Sequence, residues 1–173
     1  GKSTLFNRLT GAGVLSRDML FATLDPTMRA VTLPSGRQIV LADTVGFISQ
    51  LPTELVEAFK STLEEVVQAD LLLHVHDAAS PLVAEEADDV RGVLADLGID
   101  EDQQAERCLS VMNKSDLLDA GDPVREALAN LFDEGCFTSA MDGDGIDGLL
   151  AVIEARLGGS RRTASVTVGP ADG

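Results

Sequence analysis

The feature that most constrains this chain is the way its apolar runs are punctuated. β-Rich runs at Arg37 to Ala42, Leu71 to Val75, Cys108 to Met112 and Cys136 to Ser139 alternate with stretches of helical spacing. Three of these four runs lead into short polar motifs: Asp43-Thr44-Val45-Gly46, Asn113-Lys114-Ser115-Asp116, and Ser139-Ala140. Parallel strands need crossover connections, which helices supply, so strand and helix in alternation predict an α/β fold with a mostly parallel sheet and helices on both faces.

The remaining elements fit that frame. Leu5-Phe6-Asn7-Arg8-Leu9 has helical spacing and meets a stop at Gly11-Ala12-Gly13. Residues 14 to 29 lack periodicity and read as loop, while Arg29 to Leu33 and Arg37 to Ala42 flank Pro34-Ser35-Gly36 as a hairpin. Pro52 to Ala69 is amphipathic, with Pro52 suited to a first helical turn and Leu55, Phe59, Leu63, Val66 and Val67 on one face. Further helices are expected at Leu82 to Leu97, Pro123 to Leu131 and Ile146 to Leu157. Residues 1–158 read as one domain, and 159–173 as a linker followed by the start of a C-terminal segment.

Composition narrows the partners. The 173 residues carry 13 Lys plus Arg against 29 Asp plus Glu, a formal net charge of -16. Such a balance disfavours non-specific attraction to nucleic acid, so no direct DNA binding is expected. No apolar run approaches the roughly 18 residues of a membrane span. Cys108 and Cys136 lie in apolar stretches and read as reduced, buried thiols. His74 and His76 share a strand face without a third ligand nearby, and the acidic residues between Glu85 and Asp89 form a solvated helix face, so both sets read as structural.

The chemistry lies in the motifs. Gly1-Lys2-Ser3-Thr4 matches the end of a phosphate-binding loop, G-x-x-x-x-G-K-[ST], in which backbone N–H groups cradle phosphates, the Lys reaches the β and γ groups, and the hydroxyl ligates magnesium. Asp43 ends a strand three residues before Gly46, where a carboxylate can hold magnesium through water and a glycine N–H can sense a γ-phosphate. In Asn113-Lys114-Ser115-Asp116, the Asp116 carboxylate can accept both hydrogen bonds from a guanine N1–H and 2-amino edge, a donor pair adenine lacks. Ser139-Ala140, with Met141 beside it, fits a backbone donor to the guanine carbonyl. The order and spacing are those at which a GTPase assembles its site, giving a P-loop, Ras-like fold whose first strand is expected upstream of Gly1.

Phe21-Ala22-Thr23-Leu24-Asp25-Pro26-Thr27-Met28-Arg29, Asp43-Thr44-Val45-Gly46-Phe47-Ile48 and Leu51-Pro52-Thr53-Glu54-Leu55-Val56-Glu57-Ala58-Phe59 together resemble the HflX family, ribosome-associated GTPases of the Obg–HflX group. The resemblance implies a cytoplasmic enzyme, associated with the ribosome or membrane, that binds GTP and GDP with magnesium and engages the large ribosomal subunit to split stalled ribosomes. It assigns Thr23 as the switch threonine on magnesium beside Ser3 and Asp43, with Thr27 the lesser candidate. It places Lys2, Thr23 and Gly46 in catalysis, and Gly1, Thr4, Phe21, Ala22, Leu24, Asp25, Thr44, Val45 and Lys114 among the nucleotide-contacting residues. Phe47 follows Gly46 where Ras-like enzymes carry a water-orienting Gln, so slow intrinsic hydrolysis is expected. An Obg-type ribosome-assembly GTPase and a nucleotide-gated ribosome- or RNA-binding module with negligible hydrolysis remain alternatives. Without the strand leading into the phosphate loop, the 173 residues alone are expected to bind GTP poorly and to aggregate.

Overall fold

The computed structural model describes residues 1–11, 27–44, 63–133 and 135–159. The first helix, α1 (Lys2–Thr10), starts behind Gly1, whose carbonyl accepts from Leu5 N–H at 3.1 Å, and buries Leu5 and Phe6. It ends at Gly11, which is left-handed at φ 65°.

Strands β1 (Thr27–Thr32) and β2 (Gln38–Asp43) pair antiparallel from Thr27 opposite Asp43 to Thr32 opposite Gln38. The turn between them closes through Leu33 N–H to the Arg37 carbonyl at 2.8 Å and Gly36 N–H to the Leu33 carbonyl at 2.8 Å. Gly36 takes φ 86°, a conformation that would strain most side chains, so the Pro-Ser-Gly signal specifies this turn.

A parallel sheet in the order β3-β4-β5 forms the centre: β3 (Leu72–Asp77), β4 (Cys108–Asn113) and β5 (Cys136–Phe137). Before it come the short α2 (Glu64–Gln68), and between its strands α3 (Val83–Asp96), α4 (Glu101–Arg107) and α5 (Pro123–Leu131). The final helix is α6 (Ile146–Gly159). β4 is central and buried on both faces, as middle strands of covered parallel sheets are. Leu109 and Val111 pack with Leu5 of α1 and with Leu149 and Ile153 of α6, whereas Met112 packs with Ala87 of α3 and with Leu128 and Phe132 near α5. Helices therefore cover both faces, as the alternation predicts. The β3–β4 register runs from Leu72 opposite Cys108 to Asp77 opposite Asn113, so the two strands deliver their last residues side by side.

The hairpin stands as its own two-stranded sheet rather than continuing the parallel one. An apolar cavity of about 370 Å³ lies between β2 and β3, lined by Val40 and Ala42 on one side and Leu73 and Val75 on the other, with Leu5 and Phe6 of α1 also in its wall. The hairpin turn is tied instead to α6, where Glu154 Oε1 accepts from Ser35 N–H at 3.2 Å and the Leu157 carbonyl accepts from Arg37 Nη1 at 3.3 Å.

Besides β1, which begins at Thr27 inside the expected loop, and α6, which runs to Gly159 into the expected linker, two elements differ from expectation. α4 falls where no helix is predicted, although its start carries a full capping box: Asp100 Oδ1 accepts from Gln103 N–H at 2.9 Å and Gln103 Oε1 from Asp100 N–H at 3.1 Å. β5 stops at Phe137, two residues short of the predicted end: Thr138 N–H still donates to the Met112 carbonyl of β4, but the Thr138 carbonyl accepts from Ser115 N–H and Ser139 N–H turns to the Asp144 carbonyl. The cysteines are half-buried rather than buried: Cys108 begins β4 and faces the cavity, and burial raises its thiol pKa, while Cys136 begins the edge strand β5. His74 and His76 stack at 3.9 Å between ring centroids, and His76 meets Phe132 at 4.4 Å. Burial lowers their pKa values to about 4 and about 3, so both imidazoles are neutral near pH 7. Of the helix expected over Pro52 to Ala69, residues 52–62 lie outside the described residues. No helix among the described residues is long and apolar enough to cross a membrane.

Candidate functional site

Two clusters converge at the C-terminal ends of the strands and the N-terminus of α1. At the first, Ser3 Oγ donates to Asp43 Oδ2 at 2.8 Å, while Lys2 Nζ donates to Asp43 Oδ1 and to the Thr44 carbonyl. Asp43 is 5% exposed, and its pairing opposite Thr27 holds it at the end of β2. A helix N-terminus, an ammonium and a hydroxyl–carboxylate pair form one continuous polar surface there. Orphan N–H groups and the positive end of the helix favour an anion. Ser3 Oγ and Asp43 Oδ2 are hard oxygen donors brought together at hydrogen-bond distance, which fits a magnesium ion held by one directly and by the other through water. Gly1 and Thr4 stand beside them at the start of α1.

The second cluster is built on Asn113, which is 2% exposed. Its Oδ1 accepts from Ala140 N–H at 3.0 Å, and its Nδ2 donates to the Gly1 carbonyl at 3.4 Å. One side chain thus bridges the two clusters. Lys114 adopts φ 65° and donates from Nζ to Asp77 Oδ2 at 2.5 Å, while Asp77 Oδ1 accepts from Ala79 N–H at 3.0 Å. Ser115 N–H donates to the Thr138 carbonyl at 3.0 Å and starts a single 3-10 turn through Leu117. Asp116 on that turn is exposed and makes no hydrogen bond among the described residues, leaving its carboxylate open to a two-donor base edge.

The loop after β5 is held by backbone hydrogen bonds together with the side chains of Asn113, Ser139 and Arg8. Ser139 is fully buried; its N–H donates to the Asp144 carbonyl at 2.9 Å and its Oγ accepts from Asp142 N–H at 3.1 Å. Gly145 closes the loop at φ 73°, and a Cβ there would sit 2.0 Å from the Phe137 carbonyl oxygen, so no other residue fits. One expectation is sharpened. Ala140 N–H is already committed to Asn113, whereas Met141 N–H makes no hydrogen bond among the described residues, and its side chain is 70% exposed. The open backbone donor of Ser139-Ala140-Met141 is therefore the Met141 amide.

The structure brings together Lys2, Ser3, Asp43, Thr44, Asn113, Lys114, Asp116, Ser139, Ala140 and Met141. Phe21, Ala22, Thr23, Leu24, Asp25, Val45, Gly46 and Phe47 lie outside the described residues. Two participants escape sequence reasoning. Asp77 ends an apolar strand as Asp43 does, a signal that could have singled it out. Arg8, which donates from Nε to the Ala140 carbonyl at 3.0 Å and from Nη2 to the Met141 carbonyl, reads in the sequence only as a cation in a last helical turn.

Comparison with known proteins agrees with this geometry. Residues 1–114 match the family described as 50S ribosome-binding GTPase. Across all 173 residues the chain is 49% identical to the GTPase HflX of Magnetococcus marinus, covering 39% of it, and 43% identical to that of Escherichia coli, covering 40%. Over 157 residues, 91% of the chain, it is 51% identical to the GTPase HflX of Caldanaerobacter subterraneus, covering 34% of that protein. The chain spans about two fifths or less of the length of these curated relatives. With its phosphate and base clusters joined through Asn113 and these matches running through them, the chain belongs to the 50S ribosome-binding GTPase family, in its HflX branch.

Proposed function

We propose that this domain binds GTP and hydrolyses it to GDP and phosphate as the nucleotide-driven part of a cytoplasmic protein that engages the large ribosomal subunit and splits or rescues ribosomes. The observation that carries the nucleotide reading is the Asn113 bridge, whose amide joins the phosphate-end residue Gly1 to the base-end residue Ala140. The ribosomal partner rests on the description of the matched family.

Lys2 leaves Asp43 and Thr44 to meet the β- and γ-phosphates, where its charge offsets what develops as the γ group departs. Ser3 and Asp43, with Thr23 by the family resemblance, would hold magnesium, which would supply positive charge to stabilise the transferring phosphoryl group. The family resemblance assigns Gly46 and residues 21–25, which lie outside the described residues, to the γ-phosphate side of the nucleotide. Asp116 reads the guanine N1–H and 2-amino group, the stem of Lys114 and the Met141 side chain cover the base faces, and a backbone amide after Ser139 donates to O6. Phe47 can neither donate to nor accept from an attacking water, so the chain alone orients that water weakly and a partner acting in trans completes the site.

GTP turnover by the full-length protein, with and without purified large subunits, tests this reading. Slow turnover alone and a clear rise with subunits are expected. Fast turnover without ribosomes would overturn the requirement for a partner. Absence of turnover in both, with GTP still bound, would instead favour a nucleotide-gated binding module, the reading that the phenyl ring at position 47 supports next best.

A further inference from the structure

Arg8 belongs to the phosphate-side helix, yet its guanidinium grips the base-side loop. Nε donates to the Ala140 carbonyl at 3.0 Å and Nη2 to the Met141 carbonyl. The Ala140 carbonyl and the Met141 N–H belong to one peptide plane. In a trans peptide these two groups point in opposite directions, so whatever fixes the carbonyl also fixes the direction of the N–H. Among the described residues, that N–H is the one of the Ser139-Ala140-Met141 run left open, since Ala140 N–H is held by Asn113 and Ser139 N–H by the Asp144 carbonyl.

We propose that Arg8 is a positioning residue for base recognition, aiming the Met141 N–H at the 6-oxo group of guanine by holding the opposite edge of the same peptide. The guanidinium also polarises that peptide, which strengthens the N–H as a donor. Arg fits the task because its planar fork spans two adjacent carbonyls, and an ammonium is a single point charge that does not present this fixed fork. The inference rests on the guanine reading of Asp116.

The test uses full-length protein and two probes, GDP and 6-thio-GDP. The latter keeps the N1–H and 2-amino group read by Asp116 but replaces O6 by sulfur, a weak acceptor. Wild type is expected to prefer GDP, and Arg8→Ala to lose roughly three- to tenfold of that preference, the equivalent of one hydrogen bond. Arg8→Lys should retain part of it. Equal loss of affinity for both probes, with the preference intact, would make Arg8 merely structural and overturn the proposal. Asp116→Asn in parallel should move preference from GDP to xanthosine diphosphate. If it does and Arg8→Ala leaves the preference unchanged, the guanine reading stands and the Arg8 proposal falls; if it does not, the guanine reading falls and takes the proposal with it.

Discussion

The two ends of the site are held by different physics. At the phosphate end the contacts run between side-chain charges: Lys2 on Asp43, with Ser3 completing the carboxylate's partners. At the base end most contacts finish on backbone, with Asn113 and Arg8 on Ala140, Ser115 on Thr138 and Ser139 on Asp144, while the Lys114–Asp77 charge pair stands beside them. Folding alone completes the base end. At the phosphate end Lys2 is spent on Asp43, a contact an incoming anion has to compete with. The base end is therefore a matter of shape and stability, and the phosphate end a matter of charge exchange.

Lys2→Ala should give the largest effect and strain that comparison most. Removing one charged donor from the phosphates is expected to lower turnover by about 10²–10³-fold. Preference for GDP over 6-thio-GDP should stay within twofold or so of wild type, roughly the scale of experimental scatter in such affinities. A preference that collapses along with turnover would mean that the ends are not separately built. Gly145→Ala attacks the other end through structure: the added methyl meets the Phe137 carbonyl in a backbone conformation unfavourable to side chains. A loss on the order of 3 kcal/mol is expected in denaturant unfolding. An unchanged midpoint would show that the loop does not depend on this turn.

The smallest effect sharpens the comparison from beneath the base end, where His76 immediately precedes Asp77, the partner of Lys114. The folded pKa of His76, about 3, lies below its ordinary 6.5, so the unfolded chain takes up the proton first as pH falls. Stability from this group is full above pH 6.5 and declines from there toward the folded values near 3 to 4. His76→Leu also removes a buried Nε2 that has no hydrogen-bond partner among the described residues. The variant should gain on wild type by roughly 1–2 kcal/mol between pH 7.5 and pH 5. Thermal melts at the two pH values check this, and a gap that does not widen on acidification would remove His76 from the acid response.

Much of this architecture is legible in the sequence because strand ends carry chemical signatures. Asn113 and Asp43 close apolar runs, and each lies in one of the two clusters. What escapes is set by tertiary choice. Nothing in Arg8 reveals that its helix passes beneath Ala140, and which amide of the last loop stays open depends on Asn113 taking the other. α4 is a different kind of omission, since Asp100 and Gln103 spell its start but its sequence, Glu-Asp-Gln-Gln-Ala-Glu-Arg, offers no apolar face to reveal it. Its last residue, Arg107, does long-range work by donating to the Val67 carbonyl at 2.9 Å and the Ala69 carbonyl at 2.5 Å, at the C-terminal end of α2.

The Asn113 bridge also carries a thermodynamic obligation. A side chain that binds Gly1 at one extremity and Ala140 at the other makes their equilibria mutually dependent. Whatever factor an occupied base pocket contributes through this bridge to affinity for phosphates, occupied phosphates must return to affinity for the base, because linkage between two binding events is reciprocal. Neither guanosine nor pyrophosphate alone would then measure half of a nucleotide: the shortfall between the sum of their binding free energies and that of GDP contains the strength of this one amide, together with the entropy saved by joining them.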